Sequence, residues 1–241
     1  MRGLRIGTWN VQYAAGAEKN VGRRERLIAE NADIWVLTET HDDLALPDHV
    51  AVSTVQRLTG RTGGRWTTIW SRFPVIERVV VVDAVRTVAA LLESSAGPLL
   101  VFGTVLPWHS DPGPVAGSPA KAWSEHHRVI PEQTDEWRAL RAQFPGVPLV
   151  VAGDLNMNLG GKHYYGTKTG RALLREGMAG AELACATETE RVPLGALAHG
   201  PIDHVLVPVV WAERTRVVSA WEGTVGGVKY SDHSGVVVEV G

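Results

Sequence analysis

Cysteine is nearly absent from this chain: Cys185 stands alone, so no internal disulfide framework is available, and cysteine usage does not indicate a redox compartment. Long hydrophobic runs are missing too. No stretch approaches the roughly 20 apolar residues that a membrane-spanning helix requires. The opening MRGLRIGTWNV lacks the apolar core of a secretory signal. A soluble protein without a membrane span, cytoplasmic by default, is the expectation. A basic excess is also lacking, since 24 Lys and Arg meet 26 Asp and Glu for a net charge of -2. Proteins that grip duplex nucleic acid by unspecific phosphate contacts usually carry such an excess. The balance therefore argues against a strong unspecific binder, though not against an enzyme that cuts nucleic acid. Repeats, low-complexity tracts and evident linkers are missing as well, and one domain over residues 1–241 is expected.

What the chain does have is ordinary globular substance. At 241 residues and 44% hydrophobic, it is long enough to bury roughly three quarters of its unfolded surface without staples. Ten short runs rich in Val, Ile and Leu, bounded by Gly, Pro, Asp or Asn, read as strands. They are Leu4–Trp9, Asp33–Thr38, Trp66–Trp70, Val75–Val82, Thr87–Leu92, Leu99–Leu106, Pro148–Ala152, Ile202–Val207, Thr215–Ala220 and Gly235–Val240. Helical spacing appears from an Asn20 cap to about Asn31, from Glu132 to Phe144 just after Pro131, and from about Thr169 to Ala179. Ser110–Ser118, rich in Pro, Gly and Ser, reads as a surface loop. Most strand runs are apolar throughout, as strands covered on both faces are. Many strands with few helices then give an α/β (α+β) chain of two packed sheets flanked by helices.

The informative residues are the polar ones that end these apolar strands. Asn10 closes the first and Glu39 the second; Asp154 and Asn156 follow Leu149–Ala152; Asp203 opens another; Asp232 and His233 precede the last. Asp and Asn favour turns for local reasons. Five such sites beside strongly apolar strands are harder to assign to turns alone. Rigid strand ends can aim side chains at one point, and clustered carboxylates need a metal or a charged partner. The inventory fits phosphoryl chemistry. Glu39 and Asn10 offer the hard oxygen atoms that Mg²⁺ takes while keeping several waters. Asp154, Asp203 and His233 serve proton transfer and orientation, and Asn156 offers an amide donor to a nonbridging oxygen.

Trp9-Asn10, T-E-T, G-D-L-N, I-D-H and S-D-H-S, in this order, resemble the endonuclease/exonuclease/phosphatase superfamily. That group includes type I deoxyribonucleases, apurinic endonucleases, neutral sphingomyelinases and inositol polyphosphate phosphatases. The likeness runs from about Ile6 to Val238, and Thr67–Val75 looks like the family's apolar strand ending in Ser-Arg-x-Pro. It implies a four-layered α/β sandwich and a Mg²⁺-dependent phosphoesterase, with Mn²⁺ as a substitute metal. By the same resemblance Glu39 binds the metal, Asn10 supports that site and Asp232 lies close to it. Asp154 and Asn156 contact the attacking water and the phosphate, and His233 acts on the phosphate or as base, paired with Asp203.

One position departs from the pattern. The family commonly places a His or Tyr at the end of the middle strand, where this chain has Val105, so His109 is a candidate substitute. Lys162 and Tyr164, in the Gly160–Lys168 stretch, are candidate substrate contacts through charge and stacking. Trp108, Trp123, Trp137 and His126–His127 read as packing, and Arg57, Arg61 and Arg65 as a solvated hairpin tip. The leading expectation is a phosphodiesterase acting on nucleic acid. A phosphatase or diesterase for a small metabolite or lipid headgroup is the alternative enzyme. A non-catalytic binding module is the alternative of another class, and it would be expected to have lost residue types that this chain retains.

Overall fold

In the computed structural model, which describes residues 3–14, 16–55, 61–113 and 121–241, the strands run in chain order as follows. They are β1 (Leu4–Asn10), β2 (Ile34–His41), β3 (Val50–Ser53), β4 (Gly64–Ser71), β5 (Val75–Val79), β6 (Val88–Ser94) and β7 (Gly97–Val105). After these come β8 (Leu149–Asp154), β9 (Leu183–Cys185), β10 (Asp203–Pro208), β11 (Thr215–Trp221), β12 (Thr224–Val225), β13 (Val228–Lys229) and β14 (Gly235–Val240). Among the described residues three α-helices accompany them, α1 (Ala17–Glu30), α2 (Ser124–Gln143) and α3 (Lys168–Gly180). No helix among the described residues is long and apolar enough to cross a membrane.

Two six-stranded sheets carry the architecture, ordered β11-β14-β1-β2-β4-β3 and β5-β6-β7-β8-β10-β9. Each is mixed, with β1–β2 and β7–β8 parallel and the other pairs antiparallel. Strand alternation sends every second side chain to opposite faces. Ile6, Ile34, Val36, Ile69, Val101, Val150, Ala152 and Val205 fill the space between the sheets. On the outer face of the first sheet, Trp9, Trp35, Leu37, Trp70 and Trp221 pack with Leu27 of α1. On the outer face of the second, Phe102, Leu149, Val151 and Leu206 pack with Val129, Trp137 and Leu140 of α2 and Leu174 and Met178 of α3. The result is the four-layered α/β sandwich, and the strands β1, β2, β7, β8, β10 and β14 are largely buried on both faces, while the edge strands β5 and β11 are partly exposed.

Several boundaries differ from the sequence reading. Asn20 lies inside α1 rather than at its cap, where its amide donates to the Ala14 carbonyl at 2.9 Å and accepts from Arg23 at 2.7 Å. Along α1, Leu27 is buried and Ile28 is exposed. Helix α2 starts at Ser124, and Pro131 sits within it rather than before it. Proline costs the helix one hydrogen bond, but Val129 and Ile130 ahead of it are buried in the same core as Trp137 and Leu140, and that packing prevails. Helix α3 begins one residue early, with the Thr167 hydroxyl accepting from the Gly170 N–H at 2.9 Å. Strand β5 stops at Val79, leaving Val80 and Val82 exposed. Strands β3 and β9 and the β12–β13 hairpin were not anticipated; the last two turn on Gly226-Gly227, both with positive φ.

Close packing within the first sheet has a test. A Cβ on Gly7 would stand 2.2 Å from a ring carbon of Trp35. Gly7→Ala is expected to destabilise the protein by about 1–3 kcal/mol, the usual cost of overpacking. The shift of the urea unfolding midpoint measures it, and an unchanged midpoint would contradict this contact.

Candidate active site

Alternation places Asn10, Asp154 and Asp203 on the inter-sheet face, in phase with Ile6, Val150 and Val205. Asn10 and Asp154 end β1 and β8, while Asp203 begins the antiparallel β10 in register with Asp154. Glu39 would share the outer face with Trp35 and Leu37 if the pleat of β2 continued. Its φ of 48° breaks the pleat, and its carboxylate accepts from Asn10 Nδ2 at 3.1 Å. The same Nδ2 donates to Asp154 Oδ2 at 3.1 Å, so one amide bridges carboxylates from the two sheets. Asn10 Oδ1 is taken by the Gln12 N–H at 2.9 Å, which fixes the amide's orientation. Asn10 therefore presents nitrogen, not a metal-binding oxygen, to Glu39.

His233 completes the cluster. Its Nδ1 lies 2.6 Å from Asp203 Oδ2, and its Nε2 lies 3.9 Å from Asp154 Oδ2. Burial works against the charged imidazole, but the charges of Asp203, Asp154 and Asp232 together outweigh it and raise His233 to about 10. Burial pushes the Asp154 carboxyl up to about 7; the Asp203 charge adds to the rise, and His233, Asn156 and Asn10 oppose it. Glu39 is also raised by burial, with Asn10 and His233 opposing. Asp203 Oδ1 is buried without a hydrogen-bond partner. Asp154, Asp203 and His233 hold ligand-type atoms within 4.8 Å of one another, a group able to hold a metal ion. With Glu39 and Asp232, four carboxylates surround one imidazole, a set that favours a further cation.

Neighbouring residues fix this arrangement. Ser231 Oγ donates to the Asn10 carbonyl at 2.6 Å and accepts the His233 N–H at 3.0 Å. Trp9 Nε1 donates to the His233 carbonyl at 3.1 Å. Asn156, at φ 49°, gives its N–H to Asp154 Oδ1 at 2.8 Å and its amide to Asp154 Oδ2 and the Leu106 carbonyl. Two residues later, Asn158 accepts from the Tyr164 and Tyr165 N–H groups and donates to the Gly160 and Lys162 carbonyls, tying down the loop after β8. From α2, the fully buried His126 bonds the Leu155 carbonyl at 3.1 Å.

A model described as the endonuclease/exonuclease/phosphatase family matches residues 7–233. The chain belongs to this family. No curated protein sequence matches it. Among solved structures, it is similar to the endonuclease domain of TRAS1, a telomere-specific non-LTR retrotransposon. That match has a TM-score of 0.67 and 14% identity, and covers 99% of this chain and 98% of the other. It is similar also to a 3′-5′ exonuclease from Neisseria meningitidis, with TM-score 0.66, 18% identity, and 98% and 99% of the chains covered. A 3′ phosphatase from Neisseria bound to a product DNA hairpin matches at TM-score 0.66 and 17% identity, over 99% of each chain. At these identities the structures share the fold, and the family to which the chain belongs is one of phosphoesterase-type hydrolases.

At the position where the family commonly has His or Tyr, Val105 is buried in register with Asp154. His109, four residues on, is exposed; its ring lies edge-on to Trp123, and its Nδ1 is 2.7 Å from Ser110 Oγ. Its backbone N–H instead meets the Tyr165 hydroxyl, and Tyr165 feels the charges of Asp154 and Asp232. Lys162 has an exposed side chain and joins the Asn158 network only through its carbonyl. Tyr164 lies against His199 at 4.9 Å, and burial, with Asp203 adding, pushes its hydroxyl up to about 12. Asp232 is exposed at the rim, where its charge acts on Glu39 and His233.

The hairpin arginines require a correction. Arg61 does not simply point to solvent: its guanidinium sits 3.6 Å from the ring centre of Tyr13, whose hydroxyl bonds Glu39. Arg65 pairs with Asp42 at 3.0 Å, and Arg57 lies outside the described residues. Tyr13 escaped the sequence reading because Gln12, Tyr13 and Ala14 all adopt positive φ, a turn their residue types do not announce.

Two outcomes follow from these supports. Asn158→Leu removes four hydrogen bonds. At about 1 kcal/mol each, a loss of roughly 2–4 kcal/mol is expected, with faster proteolysis after Asn158; unchanged stability and cleavage would contradict the anchoring role. Burial lowers His126 from 6.5 to about 4. Between those values the unfolded chain takes up a proton that the folded chain refuses, so stability falls as pH drops through that window, by roughly 3 kcal/mol from this group. Urea midpoints of the wild type and His126→Gln across that range measure it, and parallel curves would refute it.

Proposed function

We propose that the protein is a Mg²⁺-dependent phosphodiesterase that hydrolyses nucleic acid by in-line attack of water, with Mn²⁺ as a substitute metal. The reading is carried by one observation: His233 held between Asp203 and Asp154, with Asp154 joined through Asn10 to Glu39. Glu39, with Asp232 beside it, is the natural holder of the metal, since Mg²⁺ uses one or two carboxylates and keeps its waters. Asp203 Oδ2 is engaged by His233, which leaves only its buried Oδ1 to a metal. When bound, the metal neutralises charge on the phosphate and the leaving oxygen.

The chain's own groups divide the remaining work. Asp203 fixes the His233 ring and holds its proton on Nδ1, leaving Nε2–H to clamp a nonbridging phosphate oxygen. Asp154, near 7, is matched to receive a proton from the attacking water at neutral pH. Asn156 and Asn10 orient its two oxygens, and Asn10 also holds Glu39. Tyr164 and Tyr165 border the same charges and are suited to contact the substrate beyond the phosphate. The nuclease neighbours support a nucleic-acid substrate. The phosphatase neighbour and the missing basic excess support the second reading, a phosphate monoester or small diester.

An activity screen with Mg²⁺ separates these readings by comparing oligonucleotides with phosphate monoesters. Cleavage of oligonucleotides, abolished by chelation and restored by Mg²⁺, is expected. His233→Ala and Asp154→Ala are each expected to lower kcat by roughly 10²–10⁴-fold, the range for a lost proton-transfer or clamping group. Glu39→Gln is expected to raise the metal concentration needed for half activity. Full activity in Asp154→Ala would overturn the role given to that residue, and activity on monoesters alone would favour the second reading.

A further inference from the structure

We propose that a cleft beside the candidate active site receives a nucleobase of the substrate strand; this deepens the nucleic-acid reading and rests on it. One indole lines the cleft and a second packs on the first. The rings of Trp66 and Trp108 are 6.0 Å apart and tilted by 31°, and Trp108 is 36% exposed. Trp66 lies on β4 between Thr67, which faces Thr38, and Arg65, which faces Thr40, so it stands across the ladder from Glu39. Trp108 follows Leu106 by two residues, and the Leu106 carbonyl accepts from Asn156 at 2.9 Å. The two sheets thus deliver an aromatic pair from positions adjoining the catalytic candidates. Packing alone does not account for Trp108, which keeps much of its surface in solvent.

Behind Trp66 opens a cleft of about 670 Å³, lined also by Val85, Arg86, Val129, Gln133 and Glu136. That size lies within the range of small-molecule sites. Its chemistry points to a neutral planar ring. Arg86 backs Trp66 at 6.0 Å from the ring centre but is paired with Asp111 at 2.7 Å. Arg128 is likewise engaged by Glu125 and Glu132, each at 2.6 Å. Asp83 and Glu136 add further negative charge to the lining, so a phosphate or carboxylate would be repelled.

Gln133 supplies the polar feature of such a site. Its Oε1 accepts from Thr104 at 2.7 Å, while its Nε2 is buried without a partner, the residue being only 2% exposed. A buried amide donor left unpaired is costly, and a base carbonyl or ring nitrogen is an acceptor of the required kind. Trp66 gives the ring a face, Val85 and Val129 give it apolar walls, and Gln133 gives it a hydrogen bond.

The test compares an oligonucleotide with a strand of the same length in which tetrahydrofuran spacers replace every base. The wild type is expected to cleave the base-bearing strand with a kcat/KM roughly tenfold higher, the order of one aromatic stack. In Trp66→Ala and Trp108→Ala, each shown to be folded by circular dichroism, that preference is expected to fall toward one. A preference kept in both variants would overturn the base site and leave the nucleic-acid reading intact. If the wild type cleaves neither strand, the nucleic-acid reading fails and the base site fails with it.

Discussion

Asp154 and Asp203 face one another at the ends of neighbouring strands, both with almost no exposure, and two such carboxylates require positive charge between them. His233 supplies it. The imidazolium reaches across from the first sheet to a pair of acids on the second, so the sandwich is joined at this end by charge as well as by apolar packing. Its position depends in turn on Ser231 and Trp9, which hold its backbone. Asn10 does the converse, sending one amide from the first sheet to Asp154 on the second. The site and the seam between the sheets are therefore one structure, and removing either partner leaves charge buried without compensation.

Convergence of this kind costs backbone strain. Gln12, Tyr13, Ala14, Glu39 and Asn156 all hold positive φ without being glycine, a conformation that costs of order 1–3 kcal/mol at each residue. All five stand at or beside the cluster. The return is geometric: Glu39 leaves the outer face for the seam, Tyr13 reaches Glu39, and Asn156 folds back onto Asp154. Gly153 makes the same point from the other side, since a Cβ there would stand 1.9 Å from the Thr104 carbonyl oxygen of the parallel neighbour β7. The Gly of G-D-L-N lets β8 end in contact with β7.

The central strands were legible because both their faces are covered, so apolar runs mark them directly. Asn10, Asp154, Asp203 and His233 were legible because polar residues at the ends of such runs have no packing explanation. The orientation of Asn10 was not, because an amide offers oxygen and nitrogen alike and only the Gln12 N–H decides between them. Arg61 and Tyr13 met through a cation–aromatic contact between residues far apart in sequence, which no local pattern encodes. Pro131 misled for a physical reason: proline is favoured at a helix start, and here the core contacts of the preceding turn carried the helix through it.

The absence of basic excess and the abundance of aromatic side chains around the cluster belong to one argument. With a net charge of -2 and a centre rich in carboxylates, the chain has little electrostatic attraction to spare for a phosphate backbone. Tyr164 and Tyr165 border that centre, Trp66 stands across the ladder from Glu39 with Trp108 against it, and ring faces attract bases without regard to charge. On the nucleic-acid reading, positive charge is then needed only where the reaction occurs, at His233 and at the metal beside Glu39. A general basic surface would bind any phosphate; on the same reading, an aromatic rim beside His233 and the metal would favour phosphates that carry rings.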